Sequence, residues 1–226
     1  APVLAATCTG YASRVMRELE FYVAVVDEAS QSTGPDALAS LNHAERFVLV
    51  GDHEQLPPVF QAADLGGEDG VANEPATDNP LSTSLFERLI EAYPEASVML
   101  TRQYRMCQRI QAFSSAEFYD GALRPATGAV AGQSLDDLVD PASLSAALGD
   151  SVSVIDPDGE RVGNTNPVEA DRVAEIVERY IAAGVDPEVI GVIAPFRAQV
   201  AEISRRVDVT VDTVDRFQGS SKEIIV

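Results

Sequence analysis

Runs of apolar residues alternate along this chain with segments of helical periodicity. This alternation predicts an α/β fold with a largely parallel sheet. Several of the runs are apolar throughout, which is typical of strands whose two faces are both covered by helices. The predicted strands are 3–6, 21–26, 46–50, 97–101, 152–155, 189–194, 209–212 and 223–226.

Four segments have the periodicity of helices. The predicted helices are 80–92, 106–118, 167–183 and a fourth that follows Pro195 and runs through 199–206. The third has the clearest pattern, since Val173, Ile176, Val177 and Ile181 recur at helical spacing. Gly184 follows it, and glycine is a frequent residue just beyond a helix end.

Two stretches interrupt this rhythm. Residues 61–79 are rich in Gly, Ala, Asp and Glu and predict an exposed acidic loop, and residues 126–148 are weakly patterned. We place a domain boundary at 101–103, so that 1–102 and 103–226 form separate domains. The chain begins at Ala1 and stops at Val226 inside a predicted strand. We therefore expect it to be a piece of a longer protein.

Composition narrows the class of protein. The chain has 226 residues, 46% of them hydrophobic, which is ordinary for a folded globular protein. It contains no run of about 20 apolar residues and no signal-peptide pattern, so we expect no membrane span. Cys8 and Cys107 are the only cysteines, which excludes a disulfide scaffold. Two lone thiols suit a reducing compartment, and we expect a cytoplasmic protein.

Charge changes the picture further. With 36 acidic and 16 basic residues the formal net charge is −20, and fifteen of the basic residues are arginine. A distributed acid excess with almost no lysine predicts adaptation to high salt. The single lysine, Lys222, has no glycine-rich loop around it, so this chain contains no P-loop. Acidity ordinarily disfavours nucleic-acid binding, and local arginine placement would have to overcome it.

Two predicted strands end in polar residues that can do chemistry. Strand 21–26 ends in Asp27 and Glu28, and ligands of parallel sheets bind beyond such carboxyl ends. An Asp there can hold Mg²⁺ and a Glu can orient water, although Asp27 could equally be a helix N-cap. Strand 46–50 ends in a Gly-Asp turn, followed by Gln55 and two prolines. Such a rigid loop can aim Gln55 at a phosphate or water, or it can be an ordinary turn.

Two further segments carry cationic and phosphate-binding side chains. Arg102, Arg105, Arg109 and Arg124 crowd one short stretch. An arginine there can neutralise charge on a transferred phosphoryl group, or all four can be solvated surface residues. The segment 209–226 contains Arg-Phe-Gln-Gly between two strand-like runs, and its glycine permits close approach of the backbone to a ligand.

In order and spacing these segments resemble the motifs of the 5′-to-3′ superfamily-one B helicases, the group of the nonsense-mediated-decay RNA helicase and the replication helicase–nuclease. The resemblance covers nearly all of 1–226, and GDHEQLPP and QYRM are its most specific parts. The segments that carry it are VLAATCTGYASR, VVDEAS, GDHEQLPP, LTRQYRM with the following FSSAEFYDGAL, IGVIAPFRAQV and VDTVDRFQG.

The resemblance implies two RecA-like domains, both incomplete in this chain, with ATP and Mg²⁺ in a cleft between them. It implies an ATP-dependent helicase or translocase that acts on single-stranded DNA or RNA. Because the only lysine is Lys222 and no P-loop is present, we expect the isolated fragment to be inactive. The implied catalytic residues are Asp27, which also serves the metal, Glu28, Gln55 and Arg105. The implied nucleotide-binding residues are Tyr104, Gln218 and Gly219. The implied nucleic-acid contacts are Thr7, Pro195 and Thr213.

Departures from the family pattern leave alternatives open. The family's P-loop and last motif would lie outside this chain, Cys107-Gln108 replaces His-Pro, and Ser221 stands where an acidic residue is usual. A non-catalytic relic that serves as an interaction module is one alternative, but the four implied catalytic residues are all intact. An unrelated nucleotide hydrolase or kinase is another, and it does not explain QLPP or QYRM.

Overall fold

The computed structural model describes residues 3–11, 13, 16, 18–58, 83–145, 148–157 and 159–226. The chain divides into two compact units, Ala1–Met99 and Leu100–Val226, which we call unit 1 and unit 2. Helices and short parallel sheets occur in both units, which confirms the predicted α/β class. No helix among these residues is long and apolar enough to cross a membrane.

Unit 1 is built on two parallel strands. Strands β1 (Phe21–Val26) and β2 (Ala44–Leu49) pair so that Val26 lies opposite Leu49. Helix α2 (Gly34–Leu41) connects them and packs against α1 (Cys8–Tyr11), while α3 (Leu85–Ala92) follows later in the chain. Side chains fix where the two longer helices begin: the Thr33 hydroxyl accepts from Asp36 N–H, and the Ser84 hydroxyl accepts from Glu87 N–H.

The sheet of unit 1 is only partly covered. Val26 is buried, but Val25 is 66% exposed and Phe47 is 50% exposed. The prediction that helices cover both faces of these apolar strands is therefore wrong for the described part of unit 1. Among the described elements of unit 1, α2 contacts both strands but leaves side chains such as Val25 and Phe47 exposed.

Unit 2 contains a three-stranded parallel sheet in the order β6-β5-β7. Its strands are β5 (Ile190–Ile193), β6 (Thr210–Asp212) and β7 (Ile224–Ile225). A second, two-stranded parallel sheet joins β3 (Arg102–Gln103) to β4 (Arg124–Pro125). The helices are α4 (Gln108–Phe118), α5 (Gly128–Ala131), α6 (Pro167–Ala182), α7 (Arg197–Ser204) and α8 (Val214–Phe217).

The main core lies in unit 2. Val177 of α6 packs with Ile190 and Val192 of β5 and with Ile203 of α7, and all four are almost fully buried. The backbone of β5 is also closely approached, since a Cβ on Gly191 would clash with the Phe217 ring. Here the apolar strand is covered as its sequence predicts.

Most predicted elements are confirmed with shifted ends, but three predicted strands are wrong. Segments 3–6, 97–101 and 152–155 form no strand in the structure. Their apolar side chains are exposed, to 95% at Val3, 87% at Val98 and 92% at Val154. A strand requires a row of hydrogen bonds to a neighbour, and among the described residues these segments have only one such bond to a strand, from Arg124 N–H to Thr101 O.

The helix predictions agree more closely with the structure. The prediction 167–183 matches α6, and 106–118 matches α4 except that the helix begins at Gln108, after Cys107 as N-cap. The prediction 80–92 is confirmed from Leu85 onward, because Ser84 is the N-cap of α3; residues 80–82 lie outside the described residues. The predicted acidic loop 61–79 also lies outside them.

Candidate functional site

The candidate site in unit 1 lies where β1 and β2 end, at the same edge of the sheet. Beyond the strands the pairing continues, because Val50 N–H donates to Val26 O and Ala29 N–H donates to Val50 O, both at 2.8 Å. Asp27 and Glu28 therefore lie in a short loop anchored on both sides to Val50. Both carboxylate residues are exposed at this edge.

Glu28 adopts a left-handed backbone conformation, with φ 51° and ψ 38°. Such a conformation costs a non-glycine residue about 1–3 kcal/mol and is concentrated at functional sites. The side chains near it are held: Asp27 Oδ1 accepts from Glu28 N–H at 3.0 Å, and Gln31 Nε2 donates to Glu28 Oε2 at 2.7 Å. Glu28, not Asp27, occupies the N-cap position of the following 3₁₀ turn, so the structure does not support the alternative of Asp27 as a helix cap.

The loop after β2 packs tightly on the loop after β1. The buried Ser30 hydroxyl accepts a hydrogen bond from Asp52 N–H at 3.1 Å. A Cβ on Gly51 would lie 2.9 Å from Ser30 N, so any other residue would force the backbone of the two loops to shift. Glycine at this position lets the two polar loops meet.

Gln55 is positioned by Asp52. Its Nε2 donates to Asp52 Oδ2 at 2.7 Å, while Glu54 N–H donates to Asp52 Oδ1 at 3.1 Å. Asp52 therefore acts as an Asx-turn residue that also orients the amide of Gln55. Sequence reasoning assigned no role to Asp52 or Ser30, although a Gly-Asp turn after a buried strand is a usable signal.

The chemistry of this edge fits a magnesium–nucleotide complex. Asp27 and Glu28 offer exposed carboxylate oxygens, which are hard ligands suited to Mg²⁺. Among the described residues no cluster of three or more His, Cys, Asp or Glu side chains could hold a metal. Mg²⁺ ordinarily takes one or two protein carboxylates and completes its coordination with water and substrate phosphate oxygens.

Thr7, an implied nucleic-acid contact in unit 1, directly precedes α1. It is exposed, and its hydroxyl accepts from Gly10 N–H at 3.1 Å in the first turn of α1. Helix α1 packs against α2, and the described hydrogen bonds do not join Thr7 to Asp27 or Gln55. The structure thus gives Thr7 a capping role and leaves its ligand contact a prediction.

In unit 2, Gln103 shapes the turn that carries Arg105. The Gln103 side-chain oxygen accepts from Arg105 N–H and Met106 N–H, and its Nε2 donates to Met106 O, all at 2.8 Å. Arg105 is exposed, and no described carboxylate pairs with its guanidinium. Arg109 differs, because it forms an ion pair with Asp150. Tyr104 is 70% exposed beside Arg105.

The implied nucleic-acid residues of unit 2 lie at the carboxyl edge of the larger sheet. Pro195 and Thr213 follow the adjacent strands β5 and β6, and Ala194 N–H donates to Asp212 O at 3.1 Å. Pro195 is exposed, whereas Thr213 is only 8% exposed and begins α8. The structure brings these two residues together, with Pro195 the more accessible to a ligand.

Gln218 and Gly219 end α8. Gly219 has φ 79°, a conformation that favours glycine, and Gln218 N–H donates to Val214 O. The described hydrogen bonds do not bring either residue to Tyr104 or Arg105. Lys222 is engaged nearby, since its Nζ donates to the Glu188 carbonyl oxygen.

Comparison with known proteins gives a consistent result. Two family models, both described as an AAA domain, match residues 81–226 and 1–63. The chain is 34% identical over 240 residues to the DNA replication ATP-dependent helicase/nuclease of Arabidopsis thaliana, covering 99% of this chain and 17% of that protein. It is 34% identical over 255 residues to the DNA replication ATP-dependent helicase/nuclease of Xenopus laevis, covering 100% of this chain and 23% of that protein.

An archaeal relative shows the same likeness. The chain is 33% identical over 242 residues to an uncharacterised ATP-dependent helicase of Methanocaldococcus jannaschii, covering 100% of this chain and 34% of that protein. The chain thus spans about a third or less of the length of these curated relatives. One AAA-domain model matches more than half of the chain, and the alignments cover nearly all of it. The chain therefore belongs to the superfamily-one ATP-dependent helicase family and corresponds to a fragment of such a protein.

Proposed function

We propose that the full-length parent of this chain is an ATP-dependent, 5′-to-3′ helicase or translocase, and that this chain supplies part of its motor. One observation carries the proposal: the loops that hold Asp27, Glu28 and Gln55 meet at one edge of the unit 1 sheet. Ser30 and Gly51 fix that meeting at hydrogen-bond and contact distance. Similarity to proteins named ATP-dependent helicases supports it.

The residues of unit 1 divide the chemistry of hydrolysis between them. Asp27 would hold Mg²⁺, which when bound neutralises charge on the phosphates of ATP. Glu28 would accept a proton from the attacking water, a role that requires an accessible carboxylate within hydrogen-bond reach. Gln55, held by Asp52, would orient that water or contact the terminal phosphate.

Unit 2 would supply the cation and the remaining contacts to the nucleotide. The Arg105 guanidinium would stabilise negative charge that develops on the transferred phosphoryl group. Its freedom from any described carboxylate supports this role, because an ion pair would compete with the phosphate. Tyr104 would lie against the base, and Gln218 with Gly219 would contact the nucleotide.

A single nucleic-acid strand would contact Thr7, Pro195 and Thr213. The surroundings of Pro195 support this, since the Arg161 guanidinium stacks on the neighbouring Phe196 ring at 4.8 Å. Arginine–aromatic platforms of this kind suit sequence-tolerant stacking of bases. Two relatives are named for DNA replication, so DNA is the first strand type to test, with RNA beside it.

The experiment is strand separation by the full-length protein on matched DNA and RNA duplexes with a 5′ single-stranded tail. We expect ATP-dependent unwinding of at least one of them and none without ATP. The isolated chain 1–226 is the control, and it should not hydrolyse ATP because it contains no P-loop lysine. Failure of the full-length protein to unwind either duplex, or to move along a single strand, would contradict the proposal.

A further inference from the structure

Two arginines lie side by side on the small sheet of unit 2. Arg102 of β3 is the register partner of Arg124 of β4, and the strands run parallel. Neighbouring strands are about 4.8 Å apart, and register partners of a parallel pair project from the same face. Like charges placed opposite each other destabilise a sheet. The pair therefore lowers stability unless an anion offsets it.

No described carboxylate provides that anion. Both arginines are exposed and neither forms an ion pair within the described part of the chain. Elsewhere in unit 2 Arg109, Arg172 and Arg206 each contact an Asp or a Glu. Acidic partners are plentiful, since the chain has 36 acidic residues against 16 basic ones. Other arginines of unit 2, such as Arg179, also lack a described ion pair, but Arg102 and Arg124 differ from them because their guanidiniums stand on adjacent strands. Two such charges side by side favour an anion that comes from a ligand.

The two arginines line a cavity of about 480 Å³. Its other lining residues are Thr101, Ala122, Pro125 and Ala126, so none of its walls is acidic. Backbone bonds fix its floor: Arg124 N–H donates to Thr101 O at 2.7 Å, and Ala126 N–H donates to Gln103 O at 2.8 Å. The Thr101 hydroxyl adds a possible donor. The cavity thus combines positive charge, hydrogen-bond donors and a defined backbone.

We propose that Arg102 and Arg124 form a phosphate-binding site for the sugar–phosphate backbone of a single nucleic-acid strand. Guanidinium groups bind phosphate oxygens with paired, charge-assisted hydrogen bonds. Both side chains are exposed, which suits a polymer that passes across them. A mononucleotide instead requires groups that enclose its base and sugar. The inference rests on the proposed function, because it takes nucleic acid as the ligand, and it adds a strand contact distinct from Arg105.

The test measures binding of the full-length protein to a fluorescein-labelled oligothymidylate and to an oligouridylate of equal length, by anisotropy over a series of KCl concentrations. Arg102→Gln and Arg124→Gln should each weaken binding roughly tenfold, the loss of a charge-assisted contact. Each should also reduce the slope of log K against log [KCl] by about 0.7, the value for one single-strand phosphate. Binding of a fluorescent ATP analogue should be unchanged.

Arg179→Gln is the matched control. Arg179 is exposed on α6 and has no described ion-pair partner, so its removal changes net charge equally. It should leave affinity and slope at wild-type values, and thermal melting should show all three variants folded. If the Arg102 and Arg124 variants kept wild-type affinity and slope, the proposed phosphate-binding site would be wrong, while the proposed function would stand. If the variants lost affinity for the ATP analogue but kept their affinity for the oligonucleotides, the two arginines would bind the nucleotide, and the proposed strand contact would be wrong as well. A wild-type protein that binds neither oligonucleotide would overturn the proposed function together with this site.

Discussion

At the scale of residues, the candidate site depends on side chains that position others. The Asp52 carboxylate accepts hydrogen bonds from the Gln55 side chain and from Glu54 N–H. The Gln103 side-chain oxygen accepts from Arg105 N–H and Met106 N–H. Each such bond contributes only about 1 kcal/mol to the stability of the fold. Its effect on the position of a catalytic group matters more, because a small misplacement lowers the reaction rate steeply. The proposed catalytic side chains therefore depend on neighbours for their geometry.

Arg105 provides the first prediction. A cation that acts mainly on the transition state of phosphoryl transfer contributes about 10³–10⁵ in rate. In the full-length parent we expect Arg105→Ala to remove most ATP hydrolysis and unwinding while ATP binding weakens far less. Arg105→Lys should fail too, since an ammonium cannot hold two oxygens in a planar fork. Steady-state turnover at saturating ATP is the measurement.

Arg179→Ala serves as the control for Arg105, because it removes another exposed arginine of unit 2. It should keep normal turnover. If Arg105→Ala also kept near-normal turnover, or if both variants lost activity equally, Arg105 would not stabilise the transition state.

Gly51 provides the second prediction, for stability. A Cβ there would lie 2.9 Å from Ser30 N and 3.2 Å from Ala29 N, both backbone atoms that cannot move freely. Overpacking of this kind costs about 1–3 kcal/mol. We expect Gly51→Ala to lower the free energy of unfolding by that amount in urea titration.

Gly128 is the control for Gly51. It opens α5, and a Cβ there would meet no atom within 4 Å beyond its chain neighbours. Gly128→Ala should be neutral or slightly stabilising, because alanine lowers the entropy of the unfolded chain. Equal destabilisation by the two substitutions would show that the close approach at Gly51 has no special cost.

At the scale of elements, α6 and α7 are joined by an ionic network. Arg206 Nε contacts Asp171 Oδ1 at 2.5 Å, and Arg206 Nη1 contacts Glu202 Oε1 at 2.7 Å. Arg205 also pairs with Glu202. The hydrogen bond from Arg206, together with the charges of Arg206 and Arg205, lowers the pKa of Glu202 below its ordinary value. At pH values where Glu202 is ionised, this network helps to hold α6 and α7 together.

The network predicts a pH dependence. A depressed pKa in the folded state means that the stabilisation is complete above the unfolded pKa and is lost as pH falls through the folded one. As pH falls below the unfolded pKa of about 4.5, the unfolding free energy of the wild type should fall more steeply than that of Glu202→Gln. Urea unfolding of both proteins at stepped pH isolates this contribution, since all other carboxyls are shared.

Glu175→Gln is the control for Glu202. Glu175 pairs with Arg172 within α6 alone, so its substitution leaves the link between the helices intact. Its pH profile should follow that of the wild type. Parallel profiles for wild type and Glu202→Gln would show that the network contributes nothing to acid stability.

For each element, the sequence shows which segments are apolar, but it does not show which other elements pack against them. The runs 21–26 and 190–193 are similar in composition, yet Val25 is 66% exposed while Ile190 is fully buried. Likewise 3–6 and 152–155 have the composition of strands but no described neighbour to pair with. The strands β3 and β4 have two residues each, so they are too short to be predicted from a periodic pattern in the sequence. Pairing partners depend on tertiary structure, which local patterns do not contain.

The candidate site was predictable to a different degree. Carboxyl ends of parallel strands meet at one edge, so placing Asp27 and Gln55 in neighbouring loops follows from their positions after two apolar runs. Ser30 and Asp52 are 22 residues apart, and their hydrogen bond cannot be inferred from spacing. Arg102 and Arg124 became neighbours only through the register of β3 and β4.

At the scale of the whole molecule, charge dominates. A net charge of −20 implies self-repulsion in the folded state, which salt screens over about 10 Å at 0.1 M and about 3 Å at 1 M. We propose that the protein is adapted to high salt, and its melting temperature should therefore rise as KCl increases to molar concentration. The rise should shrink near the sequence pI of about 4.3, where net charge vanishes. A flat or falling melting temperature at neutral pH would contradict the adaptation.

The central claim is that this chain belongs to a motor in which Glu28 activates water for ATP hydrolysis. The most direct measurement is the ATPase rate of the full-length protein with and without single-stranded DNA or RNA, for wild type and Glu28→Gln. We predict stimulation of the wild type by nucleic acid. Glu28→Gln should lose about 10²–10⁴ in rate, the value of a general base, while still binding ATP. Absence of stimulation by either nucleic acid, or a Glu28→Gln protein with near wild-type turnover, would contradict the account.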